Sequence, residues 1–493
     1  MYWSNRKGNV IYLLLALILL SVAFHNIFFN LGKFPIYSWD EARHGVNAYE
    51  MLKQGNFIVN TYRYKMDYWN LKPPLSYWAI MLGYKTAGFN ALGLRIISGI
   101  CAFLTIAIVA IFVKKTFGNL ASLLSMLTLS TSTQFLINHS ARTGDADSLY
   151  VFLFTVAILS LLLSVKHDNW FYVSGLAFAL AFLTKSWHAG NIAVIMALYL
   201  IVTGKYKKLS IKKWMILCLC MTAPILIWAV MRYQYDGFAF FQNMIDYDLL
   251  HRSTAPIEGH VGDESYYGVI LCRFYFLWLA ILLGMVIVYH FHHNVSIDMS
   301  KYEKRSYIIG LCLWVIVPLI LYTFAKTKIR WYILPVYPPL SIMIGILASR
   351  ILMKGKWLVK IVLLSTILFV AHYYEGVIQM YVNNPIPNDQ LSLIEKTKSL
   401  DGVRGYSLFK YHPKSHEAVW AQSAVLTAEL VNDLKVQGGD FHAFLKNDRA
   451  LLLVKKRFFT KRLVTSNHLN IVASNNWGYI LSKEKIRMKH QVN

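Results

Sequence analysis

Charge is what this sequence has little of. Asp, Glu, Lys and Arg make up 15% of its 493 residues, against about 25% in an average soluble chain, which argues against an ordinary set of water-facing domains. Acidic residues are the scarcer kind, 25 against 50 basic ones, for a net charge of +25. Cysteine is nearly absent: Cys101, Cys218, Cys220, Cys272 and Cys312 each lie inside an apolar run, so neither a disulfide framework nor a cysteine metal site is expected. No small-residue cleavage site follows the basic start (Arg6, Lys7) and the apolar stretch 10–29. That stretch is therefore expected to be a retained first span. There is no internal repeat and no low-complexity tract.

What the chain does have is apolar surface: 56% of its residues, against roughly 45–50% in soluble proteins. The surplus sits in runs long enough for a bilayer core, so it must face lipid. Residues 10–29, 94–113, 120–137, 149–165, 170–184, 189–202, 214–231, 268–289, 306–324, 332–349 and 357–372 read as spans. The fold class predicted is an α-helical multi-pass membrane protein of about 11 to 13 transmembrane helices. Residues 73–89, apolar for only about a dozen positions and interrupted by Lys85, are too short to cross and read as an interfacial or re-entrant helix. On that topology one side collects Arg6, Lys7, Lys114, Lys115, Lys166, Lys205, Lys207, Lys208, Lys212, Lys213, Lys301, Lys304, Arg305, Arg350, Lys354 and Lys356. By the insertion bias of basic residues that side is the cytoplasm. The same bias, with attraction to anionic lipid, accounts for the net charge, and no nucleic-acid partner is expected. Residues 1–374 then form the membrane domain, with a first outer loop at 30–93. Residues 375–493, more polar and alternating helix-like stretches (390–399, 421–434) with strand-like ones (450–454, 469–473, 479–481), form a small extracytoplasmic α/β domain.

The outer loops carry the chemistry-bearing residues. Tyr37-Ser-Trp-Asp40-Glu41-Ala-Arg43-His44 follows the first span, and two adjacent acids beside a bilayer are costly unless hydrated or employed. Tyr68 and Lys72 precede Pro73-Pro74 and Tyr77, and a lysine at a helix start suits an anion. His139-Ser-Ala-Arg142-Thr-Gly-Asp145-Ala-Asp147 brings further acids and an arginine to the mouth of a span. Leu183-Thr184-Lys185, then Arg252 with His260 and Tyr266-Tyr267, then Lys328 with Tyr332 and Pro335, add cations on the side the insertion bias disfavours. An anionic ligand explains them.

Taken in order, these motifs resemble those of the polyprenyl-phosphate-sugar glycosyltransferases of the GT-C type. The resemblance is to the lipid A aminoarabinose transferases in particular and, more distantly, to the protein O-mannosyltransferases, over about the first 350 residues. It implies that Asp40 is the active-site loop acid, that Arg43 and Lys72 lie near the donor phosphate, and that Arg142 and Asp147 form the next motif. It also implies a membrane core followed by an outer α/β domain. One departure stands out. Aminoarabinose transferases usually carry an acid just before the Lys-Pro-Pro lysine, proposed with a downstream histidine to hold a metal. Here that position is Leu71, which leaves His260 as a possible metal ligand without that partner. No cofactor is expected to be required, and a divalent metal is left open.

The expected reaction is sugar transfer at the extracytoplasmic face of the inner (plasma) membrane. The donor is a polyprenyl-phosphate sugar, the acceptor a lipid such as lipid A, a protein or a glycan, and the anomeric carbon is inverted. Asp40, Glu41 and Asp147 are the candidate catalytic acids. Arg43, Lys72, Arg142, Lys185, Arg252 and Lys328 are the candidate phosphate ligands. Tyr68, Tyr77, His260, Tyr267 and Tyr332 are the candidate substrate contacts. The competing reading, a transporter or flippase of an anionic lipid-linked sugar, is expected to place charged or broken helices at the midplane.

Overall fold

The computed structural model describes residues 6–291, 300–413, 419–439 and 441–489. Among the described residues, eight helices are long and apolar enough to cross a membrane: Gly8–Phe28, Ala91–Phe117, Trp170–Thr203, Ile211–Asp236, Tyr266–Val288, Tyr302–Phe324, Arg330–Lys354 and Trp357–Asn383. Two shorter apolar helices, Asn119–Ser130 and Asp147–Leu163, accompany them. The apolar segments read from the sequence fall in these helices, with two breaks. The segment 120–137 divides at Thr131 and Ser132 into the helices Asn119–Ser130 and Thr133–Ile137. The 34-residue stretch Trp170–Thr203 is interrupted by the 3-10 turn Ser186–Ala189. Residues 73–89 form the 13-residue helix Leu75–Ala87, too short to span, as expected. The chain is a helical multi-pass membrane protein with a small sheet near its C-terminus.

The contacts divide the chain into two units: Met1–Phe29, Leu71–Ser76 and Ser98–Asn384 form one, and Asn30–Asn70, Tyr77–Ile97 and Pro385–Asn493 the other. The first holds most of the membrane helices. Within it the helix Tyr337–Lys354 packs on Asn119–Ser130, and Asp147–Leu163 packs on Trp170–Lys185. The division differs from the boundary read at 374. The helix Trp357–Asn383 carries the membrane unit further, and most of the first outer loop packs with the C-terminal segment.

The reason lies in the helix Asp40–Gln54. Its apolar face (Ala42, Val46, Tyr49) joins Val425 and Leu426 of the helix Gln422–Asn432 in one buried cluster. The second unit contains a short hairpin, β1 (Thr61–Tyr62) and β2 (Lys65–Met66), and a five-stranded sheet. The sheet strands are β3 (Ser407–Lys410), β4 (Lys435–Val436), β5 (Ala450–Lys455), β6 (Asn470–Ser474) and β7 (Gly478–Ser482), in the order β4-β3-β5-β7-β6. β4, β3 and β5 run parallel, while β7 is antiparallel to β5 and to β6. β5 is buried on both faces: Leu451 and Leu453 enter one apolar cluster, Leu452 and Val454 another, as a central strand covered on two sides requires.

Candidate functional site

In the first unit the site is built around two buried carboxylates. Asp248 lies in the π-helical turn Asp246–His251, a backbone form often found at functional positions. Lys72 Nζ sits 3.2 Å from each of its oxygens, and Arg252 Nε, one turn further on, lies 3.1 Å from Oδ1. Ser186 Oγ donates to Oδ2 at 2.8 Å. Ser186 has φ 47, a left-handed conformation that costs a non-glycine residue free energy, and it opens the turn that breaks the stretch Trp170–Thr203. Burial pushes the Asp248 carboxyl up, but the positive charges of Lys72 and Arg252 outweigh it and hold the group well below the usual carboxylate range.

Asp147, the second carboxylate, begins the helix Asp147–Leu163, where the dipole favours an acid. Lys185, the residue before Ser186, donates to it. His139 Nδ1 lies 3.4 Å from an Asp145 oxygen and 3.5 Å from an Asp147 oxygen. Its ring stacks flat on Trp331, with centroids 3.7 Å apart. Tyr332 links the two clusters. Its hydroxyl accepts from Arg252 Nη1 at 3.1 Å, Lys185 Nζ lies 5.4 Å from its ring centre, and the His188 ring meets its edge at 4.6 Å. Five of the residues expected from the sequence, Lys72, Asp147, Lys185, Arg252 and Tyr332, are thus brought together. Asp248, Ser186 and His188 were not among them.

Two expected phosphate ligands are occupied elsewhere in this unit. Arg142 donates to the carbonyls of Asn26, Ile27 and Phe29 at 2.9, 2.7 and 2.8 Å, so it caps the C-terminal end of the helix Arg6–Phe28. Lys328 does the same for the helix Lys301–Phe324: its Nζ donates to the carbonyls of Tyr322 (3.1 Å) and Thr323. A helix C-terminus is the negative end of its dipole and attracts a cation as a phosphate would. The Tyr267 hydroxyl accepts from Ile329 N at 3.3 Å, and the His260 carbonyl accepts from Lys328 N at 3.0 Å. Both therefore hold the loop before Tyr332.

The remaining expected residues belong to the second unit. Asp40 opens the helix Asp40–Gln54 and is half-buried; its carbonyl accepts from His44 Nδ1 at 2.8 Å. Glu41 is used differently from the expectation of a reacting acid, since its carboxylate pairs with Arg95. Arg43 makes a two-pronged contact with Asp67 at 2.8 and 2.6 Å and lies 3.6 Å over the Tyr62 ring. Burial raises the Asp67 carboxyl, and Arg43 more than reverses it. The buried Tyr77 hydroxyl donates to the Asn70 carbonyl at 3.2 Å, while Tyr68 is partly exposed with its hydroxyl 3.5 Å from Met66 Sδ.

Among the described residues no three His, Cys, Asp or Glu side chains come together in a way that would hold a metal ion. Leu71, at the position where an acid would partner His260, is a buried apolar residue. The donor set does not fit the implied metal.

Residues 71–228 match the family described as dolichyl-phosphate-mannose-protein mannosyltransferase. A relative from Aquifex aeolicus, itself uncharacterised, is 27% identical over 353 residues, covering 71% of this chain and 77% of the relative. The undecaprenyl phosphate-alpha-4-amino-4-deoxy-L-arabinose arabinosyl transferase of Yersinia pestis is 25% identical over 318 residues, 63% of this chain. The match spans 55% of that transferase's own length. In fold, the chain is similar to the crystal structure of ArnT from Cupriavidus metallidurans bound to undecaprenyl phosphate. The TM-score is 0.69 at 14% identity, over 97% of this chain and 99% of that one. In its motifs, in the family matched by its sequence and in its fold, the chain is similar to the GT-C type polyprenyl-phosphate-sugar glycosyltransferases.

Proposed function

We propose that the protein is an integral-membrane glycosyltransferase that moves a sugar from a polyprenyl-phosphate donor to a lipid, protein or glycan acceptor, with inversion. The observation that carries this reading is the gathering of Lys72, Lys185 and Arg252 with Asp147, Asp248 and Tyr332 at the ends of apolar helices. A polyprenyl tail keeps its donor in the bilayer, so the phosphate and sugar must be met at a helix end. Breaking the bond between the anomeric carbon and the phosphate oxygen leaves the electron pair on phosphate. Lys72 and Arg252, with Lys185 held by Asp147, stabilise that charge without a nucleotide. The acceptor hydroxyl attacks from the opposite face of the sugar and loses its proton to a carboxylate base. Asp40 takes that role by its place in the Trp39-Asp40-Glu41-Ala42-Arg43 motif. An acceptor that is itself a phosphate needs no base.

The reaction takes place on the extracytoplasmic side of the inner (plasma) membrane, where the C-terminal region also lies. The basic loops around Lys114, Lys208, Arg305 and Lys354 support this by marking the opposite side as cytoplasmic. The test supplies purified protein with a polyprenyl-phosphate sugar and acceptor and follows release of polyprenyl phosphate. Release that is lost in Lys72→Ala supports transfer. A transporter of the same lipid would leave the glycosidic bond intact, and an unchanged donor overturns the proposal.

A further inference from the structure

The buried Asp248 carboxylate is not needed to bind a phosphate; an acid among phosphate ligands opposes it. Yet it is held in place with care. It has three partners from separate parts of the chain: Lys72 before the Pro-Pro pair, Ser186 at the helix break and Arg252 one turn ahead. Two of these four positions are on irregular backbone, the π-helical turn of Asp248 and the left-handed Ser186. Irregular backbone of this kind costs free energy and persists where the surroundings enforce it.

Counting charge gives the carboxylate a use. Lys72 and Arg252 carry two positive charges and Asp248 one negative, leaving one positive charge. The neighbouring Lys185 is matched by Asp147, and Asp145 by His139 with its ring charged, so these pairs leave the count unchanged. Glu258, which also faces Arg252, is exposed, so solvent screens it. A phosphodiester donor has one negative charge and neutralises the site. The phosphomonoester left after transfer carries about −1.5 to −2 at pH 7 and overfills it.

Resting on the proposed function, we infer that Asp248 is a positioning residue that acts through Lys72 and Arg252, holding them in place and setting the site's charge to fit the phosphodiester and expel the phosphomonoester. It does not touch the reacting atoms. Without its charge, product binds too well and leaves too slowly.

The experiment measures binding of polyprenyl monophosphate, and of its methyl ester as a phosphodiester probe, to the purified full-length protein in detergent at pH 8, followed by steady-state kinetics. Wild-type protein is expected to bind the methyl ester at least as tightly as the monophosphate. In Asp248→Asn the monophosphate should bind on the order of tenfold more tightly, as removal of one buried like charge implies. KM for the donor and kcat should fall together, and Asp248→Glu should restore both. An Asp248→Asn protein that binds monophosphate no better than wild type, or more weakly, overturns the inference and makes Asp248 a purely structural anchor. Should that variant not fold, the wild-type comparison decides: a clear preference for monophosphate over its methyl ester overturns the inference. Wild-type protein that binds neither lipid overturns the proposed function as well, whereas failure of the charge preference alone leaves it standing.

Discussion

Glu41 and Arg95 form a two-pronged ion pair buried in the second unit, Nε to Oε1 at 2.6 Å and Nη2 to Oε2 at 2.9 Å. Arg95 also donates to the carbonyls of Leu31, Phe34 and Pro35, and Glu41 accepts from Tyr37 N. The pair therefore pins the chain leading into the helix Asp40–Gln54. The two adjacent acids of the motif have separable roles. Glu41→Gln leaves a buried guanidinium without its counter-charge and is expected to cost about 3–5 kcal/mol, seen as a lowered melting temperature. Asp40→Asn is expected to keep the wild-type melting temperature and lose sugar transfer to hydroxyl acceptors. Equal loss of stability in both variants would refute the division.

The same separation applies to the cations. Arg142→Ala removes the cap of the helix Arg6–Phe28 and should lower stability by about 1–3 kcal/mol, while turnover per folded molecule stays within tenfold of wild type. Lys72→Ala should do the reverse, losing about 100-fold or more in kcat with the fold retained. Transfer rates and melting curves taken in one detergent check both. An Arg142→Ala protein that is fully stable and inactive would return Arg142 to the phosphate site.

Such pairs also show what the sequence can and cannot reveal. Apolar length located the membrane helices, while a lysine at a helix start pointed to Lys72 and cations on the side disfavoured by insertion pointed to Lys185 and Arg252, which the fold gathers. Similar signals pointed to Arg142, at the mouth of a span, and to Lys328, because a phosphate and the carbonyl end of a helix both attract a cation. Only the fold tells them apart. Asp248 was illegible because its partner Lys72 is 176 residues away. Its spacing to Arg252, one turn on, was the available hint. In the C-terminal region the strand-like stretches at 450–454, 469–473 and 479–481 became β5, β6 and β7. β4, a two-residue edge strand, has too little pattern to read.

Gly345 marks a close contact between two apolar helices. A Cβ there would stand 2.1 Å from Ser125 Oγ and 2.5 Å from the Ala121 carbonyl oxygen of the helix Asn119–Ser130. Small residues let membrane helices approach in this way. The carbonyl cannot rotate aside, so Gly345→Ala must part the helices, at an expected cost of about 1–3 kcal/mol. Gly284→Ala, where an added Cβ meets nothing within 4 Å, serves as the control and should be neutral. Thermal unfolding of the two variants compares them, and equal melting temperatures would count against the close contact.

Glu50 and Glu429 predict how the second unit responds to pH. Both are buried, on the helices Asp40–Gln54 and Gln422–Asn432, and Glu50 Oε2 accepts from Tyr64 N at 2.9 Å. Burial, then the negative charge of Glu50 and a hydrogen bond shared with it, push the Glu429 carboxyl well above its ordinary range; burial also raises Glu50. The folded unit therefore holds protons that the unfolded chain releases near pH 4.3. The stability this confers is complete below that pH and is lost as pH rises through the raised folded-state value. Asp67, lowered by Arg43, acts in the opposite sense and on the acid side of the ordinary aspartate range, so the two effects occupy different windows. Melting temperature is expected to fall as pH rises above about 5, and Glu429→Gln, which keeps the hydrogen bond without the titration, should flatten that slope. A wild-type profile no steeper than that of Glu429→Gln across this window would mean that the two carboxyls do not share a proton.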